Sequence, residues 1–477
     1  MNHTCYWIIC AVAGATLLTG CQVAPKDAGF GDVQHVVSDR TGQTVQWNGQ
    51  TTDDQAVATE VRKMLLQPLT ADQAVQIALL NNQHLQARLQ DLGIARADLV
   101  QAGLLKNPVF AASWRFPDKA PHGTDAEYSV AEDFLDLLIL PLRKRIAEEQ
   151  FQNVKLSVAA QIFQIAADVK SAYFTFQARE QLITRLRLVG ELNQTAADLA
   201  ERQHAAGTIN DLDLINQQAI YNQSEIDLRH AQTQLIADRE HLNRLLGFAD
   251  DQLTWTISPH LPDIPPNEIP VDDLESLAMR QRLDLAAARA EVATLKKILS
   301  TTKGFRYFTT VDVGVDTEHG TDGQNVTGPT LSLEIPIFDQ GQGRIAKVQA
   351  QFRQVQFRLE AMTIDVRSEI REAQDKMLAN RDLAENYRDL LPKRERILNL
   401  TLQQYNGMLK GPYDLLLAKE SEVTTEQAYL DAWRDYWIAR TELTRAVGGH
   451  LPTSFSAATR PATTQHDQNN NNQGVQP

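Results

Sequence analysis

The sequence is short of cysteine, of aromatic residues and of long apolar runs, and each shortage excludes something. Its three cysteines, Cys5, Cys10 and Cys21, all stand at the extreme N-terminus of 477 residues. The body of the chain can therefore hold neither a disulfide framework nor a thiolate metal site. Beyond the N-terminus no stretch approaches the ~18 apolar residues of a membrane-spanning helix, so any spanning element must be a β-barrel. Positive charge is also scarce. Lys and Arg number 46 against 60 Asp and Glu, a net charge of −14, and no basic stripe with interleaved aromatics points to nucleic acid. Aromatics are 6% of the chain, few for one large compact core. The 11 histidines form no HxxxH pair, and no nucleophile triad, carboxylate pair or phosphate loop stands out. The expectation is a protein that is not an enzyme, with no cofactor and no metal site. Gly341-Gln342-Gly343-Arg344-Ile345-Ala346 fits a dinucleotide-binding pattern, but the helix it opens is far too long for a βαβ unit.

What is present is length in helical form. From Gly343 to Tyr405 the apolar residues Ile345, Val348, Phe352, Val355, Leu359, Met362 and Val366 fall alternately three and four apart. That is a heptad seam. A rod of roughly 60 residues rises about 90 Å, too long for the core of one globular domain. A second seam, Phe151, Val154, Val158, Ile162, Ile165, Val169, Ala172 and Phe176, lies within a rod from Leu142 to Ala206.

The N-terminus reads as an export signal. Tyr6 to Leu18 is mostly apolar and too short to span a bilayer as a mature helix. Leu18-Thr19-Gly20-Cys21 resembles the lipobox of bacterial lipoproteins, although no Lys or Arg precedes the run. The resemblance implies cleavage before Cys21, acylation there, and, with Gln22 following, sorting to the outer membrane. The expected organisation is a signal peptide over 1–20 and an extended, lipid-anchored lead over 21–68. A first repeat spans 69–260, a Pro-rich linker 261–271, a second repeat 272–451, and a disordered polar tail 452–477.

The duplication is visible as a near-constant offset. Ala78 and Leu85 reappear as Ala278 and Leu285, 200 residues on, and Asp213-Leu214 reappears as Asp414-Leu415, 201 on. Each repeat reads as helix, strand pair, long helix, turn, helix. Thr70 is the expected N-cap of the first repeat's opening helix, which runs to about Lys106, and Asp272 starts the matching helix of the second; the later helices are predicted over 142–206, 211–246, 343–406 and 413–447. The predicted strands are 108–116, 127–140, 305–316 and 329–338. Phe110, Ala112, Trp114 and Phe116 share one face of the first. In the third and fourth, apolar residues alternate with Thr310, Asp312, Ser332 and Glu334, which are expected to face a lumen. A soluble antiparallel sheet shows the same alternation. Four strands cannot close a barrel, and an open sheet in lipid leaves unpaired edges. A barrel must then be shared between chains, and twelve strands from a trimer leave room for water. The expected fold is mainly α with a small β part: two helical hairpins per chain forming a tube below a 12-stranded barrel.

With these features the chain resembles the TolC-like outer-membrane efflux factors, in their lipid-anchored branch. The resemblance covers Cys21 to about Leu451. It rests on the duplicated plan, the junction from Ile335-Pro336-Ile337-Phe338 to Gly341, Gly343 and Arg344, and the stretch Tyr405 to Leu416. It implies a homotrimeric exit duct in outer-membrane lipid, docked to a periplasmic adaptor and an inner-membrane pump that moves metal cations or drugs. It also implies a gate at the helical tips, with Tyr405 reaching Asp213, Lys410 reaching the neighbourhood of Leu212, and Asp414 ringing the constriction. Asp213 and Asp414 equally occupy positions where helix caps stand. Leu212 and Leu417 make the expected gate partly apolar. The competing reading is a lipid-anchored periplasmic adaptor, which carries one coiled-coil hairpin between β-rich halves.

Overall fold

The computed structural model describes residues 28–48, 52–116, 118–119, 123–248, 254–266, 274–307, 310–449 and 451. The expected signal peptide over 1–20, Cys21, Asp272 and residues 452–477 lie outside the described residues.

The lead begins differently from the sequence expectation. Instead of an extended strap it forms α1 (Phe30–Thr41) and α2 (Thr52–Met64). Val33 and Val37, one turn apart, are the buried contacts of α1. Two valines are too few to register as a periodic pattern, which is why the segment reads as extended. Gly29 precedes α1 at φ 72°, and a Cβ there would stand 2.8 Å from the Phe151 ring, so glycine is required on both counts. The connection over 43–48 lies outside these helices. There Thr44 N donates to Gln76 Oε1 and Asn48 N to Gln86 Oε1, both at 2.9 Å.

Each repeat then builds a short broken helix, two strands, a rod and a returning helix. The first comprises α3 (Ala71–Asn81), α4 (Gln83–Ala102), β1 (Val109–Arg115), β2 (Asp125–Asp133), α5 (Phe134–Ala205) and α6 (Asp211–Leu246). The second comprises α7 (Leu274–Gln281), α8 (Leu283–Gly304), β3 (Val311–His319), β4 (Asn325–Leu333), α9 (Gln342–Asn406) and α10 (Pro412–Val447). Thr70 opens α3 with a full capping box, its side chain paired reciprocally with Gln73. At 72 and 65 residues, α5 and α9 rise about 108 Å and 98 Å. α6 packs back along α5, and α10 along α9.

The duplication extends to the joints. Asn82 breaks the first helix pair: its Oδ1 accepts from Leu85 N at 3.0 Å, while its Nδ2 donates to Leu245 O at 2.7 Å. Arg282 holds the same place 200 residues on. Its Nη1 reaches Ala446 O, the counterpart carbonyl, at 3.5 Å, and its charge is met by Asp284 at 2.7 Å and Glu369 at 2.6 Å. Two chemistries thus dock a helix joint onto the end of a returning helix.

The cores lie beside these joints rather than along the whole rods. The larger gathers Leu69, Ile77, Leu79, Leu85, Ile162, Tyr173, Phe176, Leu242 and Trp255, and the smaller Leu274, Val366, Ile370, Tyr436 and Leu443. Each large side chain taken wholly out of water contributes roughly 1.5–3 kcal/mol. Tyr173 spends its hydroxyl on Leu69 O at 2.7 Å, and burial pushes that phenol up to about 12. Leu69 also bridges in parallel to Ile257, which ties the chain after α6 to the start of α3.

The four strands form one antiparallel sheet in the order β1-β2-β3-β4, so β1 and β4 are its free edges. Three boundaries differ from the sequence expectation. The second strand ends at Asp133, not near Leu140. Asp133 Oδ1 caps α5 by accepting from Leu135 N and Asp136 N, and the leucine-rich turn that follows is helical, with Pro141 inside it. The third starts at Val311, because α8 runs to Gly304 and Phe305–Tyr307 form a turn. The fourth spans Asn325–Leu333, not 329–338. Pro336 has no N–H for a ladder, and the chain bends at Ile337 and Phe338, leaving Ile335, Ile337 and Phe338 exposed.

Candidate functional site

Two regions carry chemistry: the sheet and the hairpin tips at the far end of the rods. In the sheet, Phe110 pairs with Val130, Val130 with Val315 and Val315 with Pro329. With Trp114, Tyr128, Val313, Leu331 and Leu333 these build a largely apolar face, interrupted by Glu132 beside Val313, that nothing among the described residues covers. Phe110 is 66% exposed and Leu331 73%. Trp114 and Tyr128 meet edge to face at 6.0 Å, with the indole N–H donating to the phenol at 3.3 Å. Strands of seven to nine residues are close to the length a tilted transmembrane strand needs, about 9–11 residues.

The opposite face is acidic. Asp312 pairs with Ser332 there, as the alternation implies, but Thr310 and Glu334 stand one residue beyond the ladder. Sequence reasoning missed Glu127 and Glu318, which lie directly opposite one another, and Asp133, which lies opposite Asp312. Like charges so placed destabilise a sheet. Arg115 relieves one side by holding Glu127 at 2.9 Å, and Lys106 relieves Asp133 at 2.9 Å. The irregular alternation of the second predicted strand hid these positions.

At the tips, α5 turns into α6 through Gly207 at φ 72°, with Asn210 capping α6 by accepting from Asp213 N at 2.9 Å. His204 Nε2 and Asp211 Oδ1, 2.6 Å apart, brace that turn. The corresponding turn between α9 and α10 puts Met408 at φ 60°, the left-handed region that disfavours side chains. Gly411 N donates to Asp414 Oδ2 at 3.0 Å, so Asp414 reaches back to satisfy the N-cap N–H at the start of α10. Leu212, Ile215, Met408, Leu409 and Leu417 are exposed around these turns, Met408 at 94%.

Within the chain, the hydrogen bond between the two hairpins at the tips does not involve Tyr405 or Lys410. Tyr405 is 40% exposed and its hydroxyl makes no hydrogen bond among the described residues, and Lys410 is exposed without an ion-pair partner among them. The structure instead brings Tyr413 against Gln203, its hydroxyl donating to Oε1 at 2.9 Å. Burial, and then the nearby charge of Asp213, push the Tyr413 phenol above its usual range. Asp213 thus lies near an aromatic of the other hairpin, but that aromatic is Tyr413. Tyr413 corresponds to Leu212 at the 201-residue offset, so its departure from the repeat was the available signal.

A sheet with two free edges and a bare apolar face, continued by two helical hairpins, defines a protomer of a barrel-and-tube membrane channel. The model of the outer membrane efflux protein family matches residues 141–248 and 274–449, well over half of the chain, and the chain belongs to that family. It is 22% identical over 387 residues to the cobalt-zinc-cadmium resistance protein CzcC of Cupriavidus metallidurans, covering 80% of this chain and 90% of that one. Among solved structures it resembles the CmeC outer membrane channel of Campylobacter jejuni, with a TM-score of 0.69, 16% identity and coverage of 80% and 86%. It also resembles the open-state MtrE outer membrane channel of Neisseria gonorrhoeae, with a TM-score of 0.62, 16% identity and coverage of 80% and 89%.

Proposed function

We propose that the protein is the outer-membrane exit duct of a tripartite efflux system, assembled as a trimer and gated at its hairpin tips. The observation that carries this reading is the four-stranded sheet whose apolar face is bare and whose two edges are unpaired. In hydrocarbon each unpaired backbone group costs several kcal/mol. Pairing β4 of one copy with β1 of the next removes every edge when three copies close the ring. Twelve strands then surround a lumen lined by the acidic face, and the rods continue that lumen through the periplasm.

The partners on this reading are a periplasmic adaptor and an inner-membrane pump. The name of the Cupriavidus relative, together with the excess of carboxylates on the polar strand face, favours divalent metal cations as the cargo. Cys21 serves as the lipid anchor. Ala28 begins the described chain beside α5 near Phe151, about 26 Å along that rod from Phe134. The seven residues back to Cys21 span at most about 25 Å when extended, so an acyl chain there can reach the leaflet at the barrel's base.

Reconstitution into planar bilayers tests the central part. The duct reading expects discrete conductance steps from the purified protein. Protein that inserts only through its acyl chains and passes no current would instead be an adaptor. Loss of zinc, cobalt or cadmium tolerance on deletion of the gene tests the cargo separately.

A further inference from the structure

We propose that the pocket between α1, α5 and the end of α10 binds a small ring-bearing anion, a phosphate or carboxylate carried on an aromatic or sugar ring. The chain as a whole carries a net charge of −14, yet this pocket of about 290 Å³ gathers Arg40, Lys170, Arg440 and Arg445 against the single carboxylate of Asp72. That carboxylate is already taken, because Lys170 Nζ holds it at 2.7 Å. Arg445 has no ion-pair partner among the described residues. Arg40 lies half-buried with no ion-pair partner among the described residues. Its Nη1 donates to two backbone carbonyls, Gln281 O at 2.7 Å and Gly448 O at 3.0 Å. Burial alone pushes its pKa down, the direction expected of a guanidinium whose charge is not fully met.

The wall of the pocket is aromatic. Phe174 and Trp437 lie 5.4 Å apart at a 30° tilt, and the Arg440 guanidinium sits 5.4 Å above the Trp437 ring. Arg40 lies 5.8 Å over Phe163. Guanidinium groups fork onto phosphate or carboxylate oxygens, and flat rings stack on aromatic faces. The volume sits at the small end of ligand pockets, which run from about 300 to 1,000 Å³. One ring with one anionic group fills a volume of that size. A purely structural role explains Arg40 Nη1, which docks α1 onto the ends of α7 and α10. It does not explain why Arg445, with no ion-pair partner among the described residues, lines the same space. The pocket lies along the middle of α5, some 45–60 Å from its first residue, away from both the sheet and the tips.

Calorimetric titration of the full-length protein in detergent tests this. Phenyl phosphate and benzoate separate the phosphate from the carboxylate, inorganic phosphate shows what the ring adds, and phenol is the uncharged control. The expected result is a Kd tighter than about 1 mM for one ring-bearing anion and no heat from phenol. Arg445→Gln should weaken that binding at least tenfold, about 1.4 kcal/mol, with the thermal melt unchanged. Absence of heat from every anion overturns the proposal, as a neighbouring copy closing the pocket would produce. Equal affinity in Arg445→Gln overturns it too, and an equal response to phenol shows an apolar slot without anion recognition.

Discussion

Replacing Tyr413 by Phe removes one oxygen and keeps the ring, so it isolates the link between the two hairpins. That oxygen donates to Gln203 Oε1 at 2.9 Å in a half-buried setting. The net worth of such a hydrogen bond is about 0.5–1.5 kcal/mol. A trimer has three of them. If the tips open together, the closed state loses about 3 kcal/mol, and the open-to-closed ratio rises more than a hundredfold at 1.4 kcal/mol per decade. If each tip opens alone, the change is about fivefold per copy. Open probability in planar bilayer recordings distinguishes the two. Tyr405→Phe is the paired control, since the Tyr405 hydroxyl has no partner among the described residues, and it should leave gating unchanged. Lys410→Glu belongs to the same control for the same reason. A pH arm follows from the raised phenol. Its folded pKa lies above its unfolded one, so the link is intact below about pH 10 and is lost only as pH climbs through the raised value. The reasoning fails if Tyr413→Phe gates like the parent while Tyr405→Phe opens the channel.

Other expectations concern stability and assembly. Arg282→Met strips the charge between Asp284 and Glu369. Both acids are partly exposed, so the cost should be about 1–3 kcal/mol, seen as a lower melting temperature. Val315→Lys places a cation in the middle of the bare sheet face. It should cost about 2–4 kcal/mol per copy in the bilayer and deplete assembled trimers in membrane fractions, without lowering the helical circular dichroism signal. Tyr173→Phe should remove an alkaline transition. The raised phenol contributes stability that is full below about pH 10 and falls as pH rises toward about 12, so denaturant midpoints of parent and variant should converge across that window.

The rods were legible because the heptad seam of Val348, Val355 and Val366 repeats over many turns, and periodicity summed over that length outweighs local noise. The joints were partly legible. Thr70 and the Asn81-Asn82 break carry local capping chemistry, whereas the role of Arg282 emerges only when the carbonyl of Ala446 arrives from 164 residues away. Strand edges were shifted because Phe305, Tyr307, Ile335 and Ile337 alternate like strand residues but are removed by a helix end and by Pro336. The tip was the least legible region. Tyr405 and Lys410 drew attention through family position, while the contact in the chain is set by the angle at which α10 leaves its turn, and that angle places Tyr413 over Gln203.

The central claim is that single chains with two bare sheet edges pool their strands into one closed cylinder, and the mass of the detergent-solubilised complex measures this most directly. Native mass spectrometry should give three copies of the chain, with no lighter species surviving at concentrations where the channel conducts. A stable monomer or dimer carrying the same conductance would contradict it.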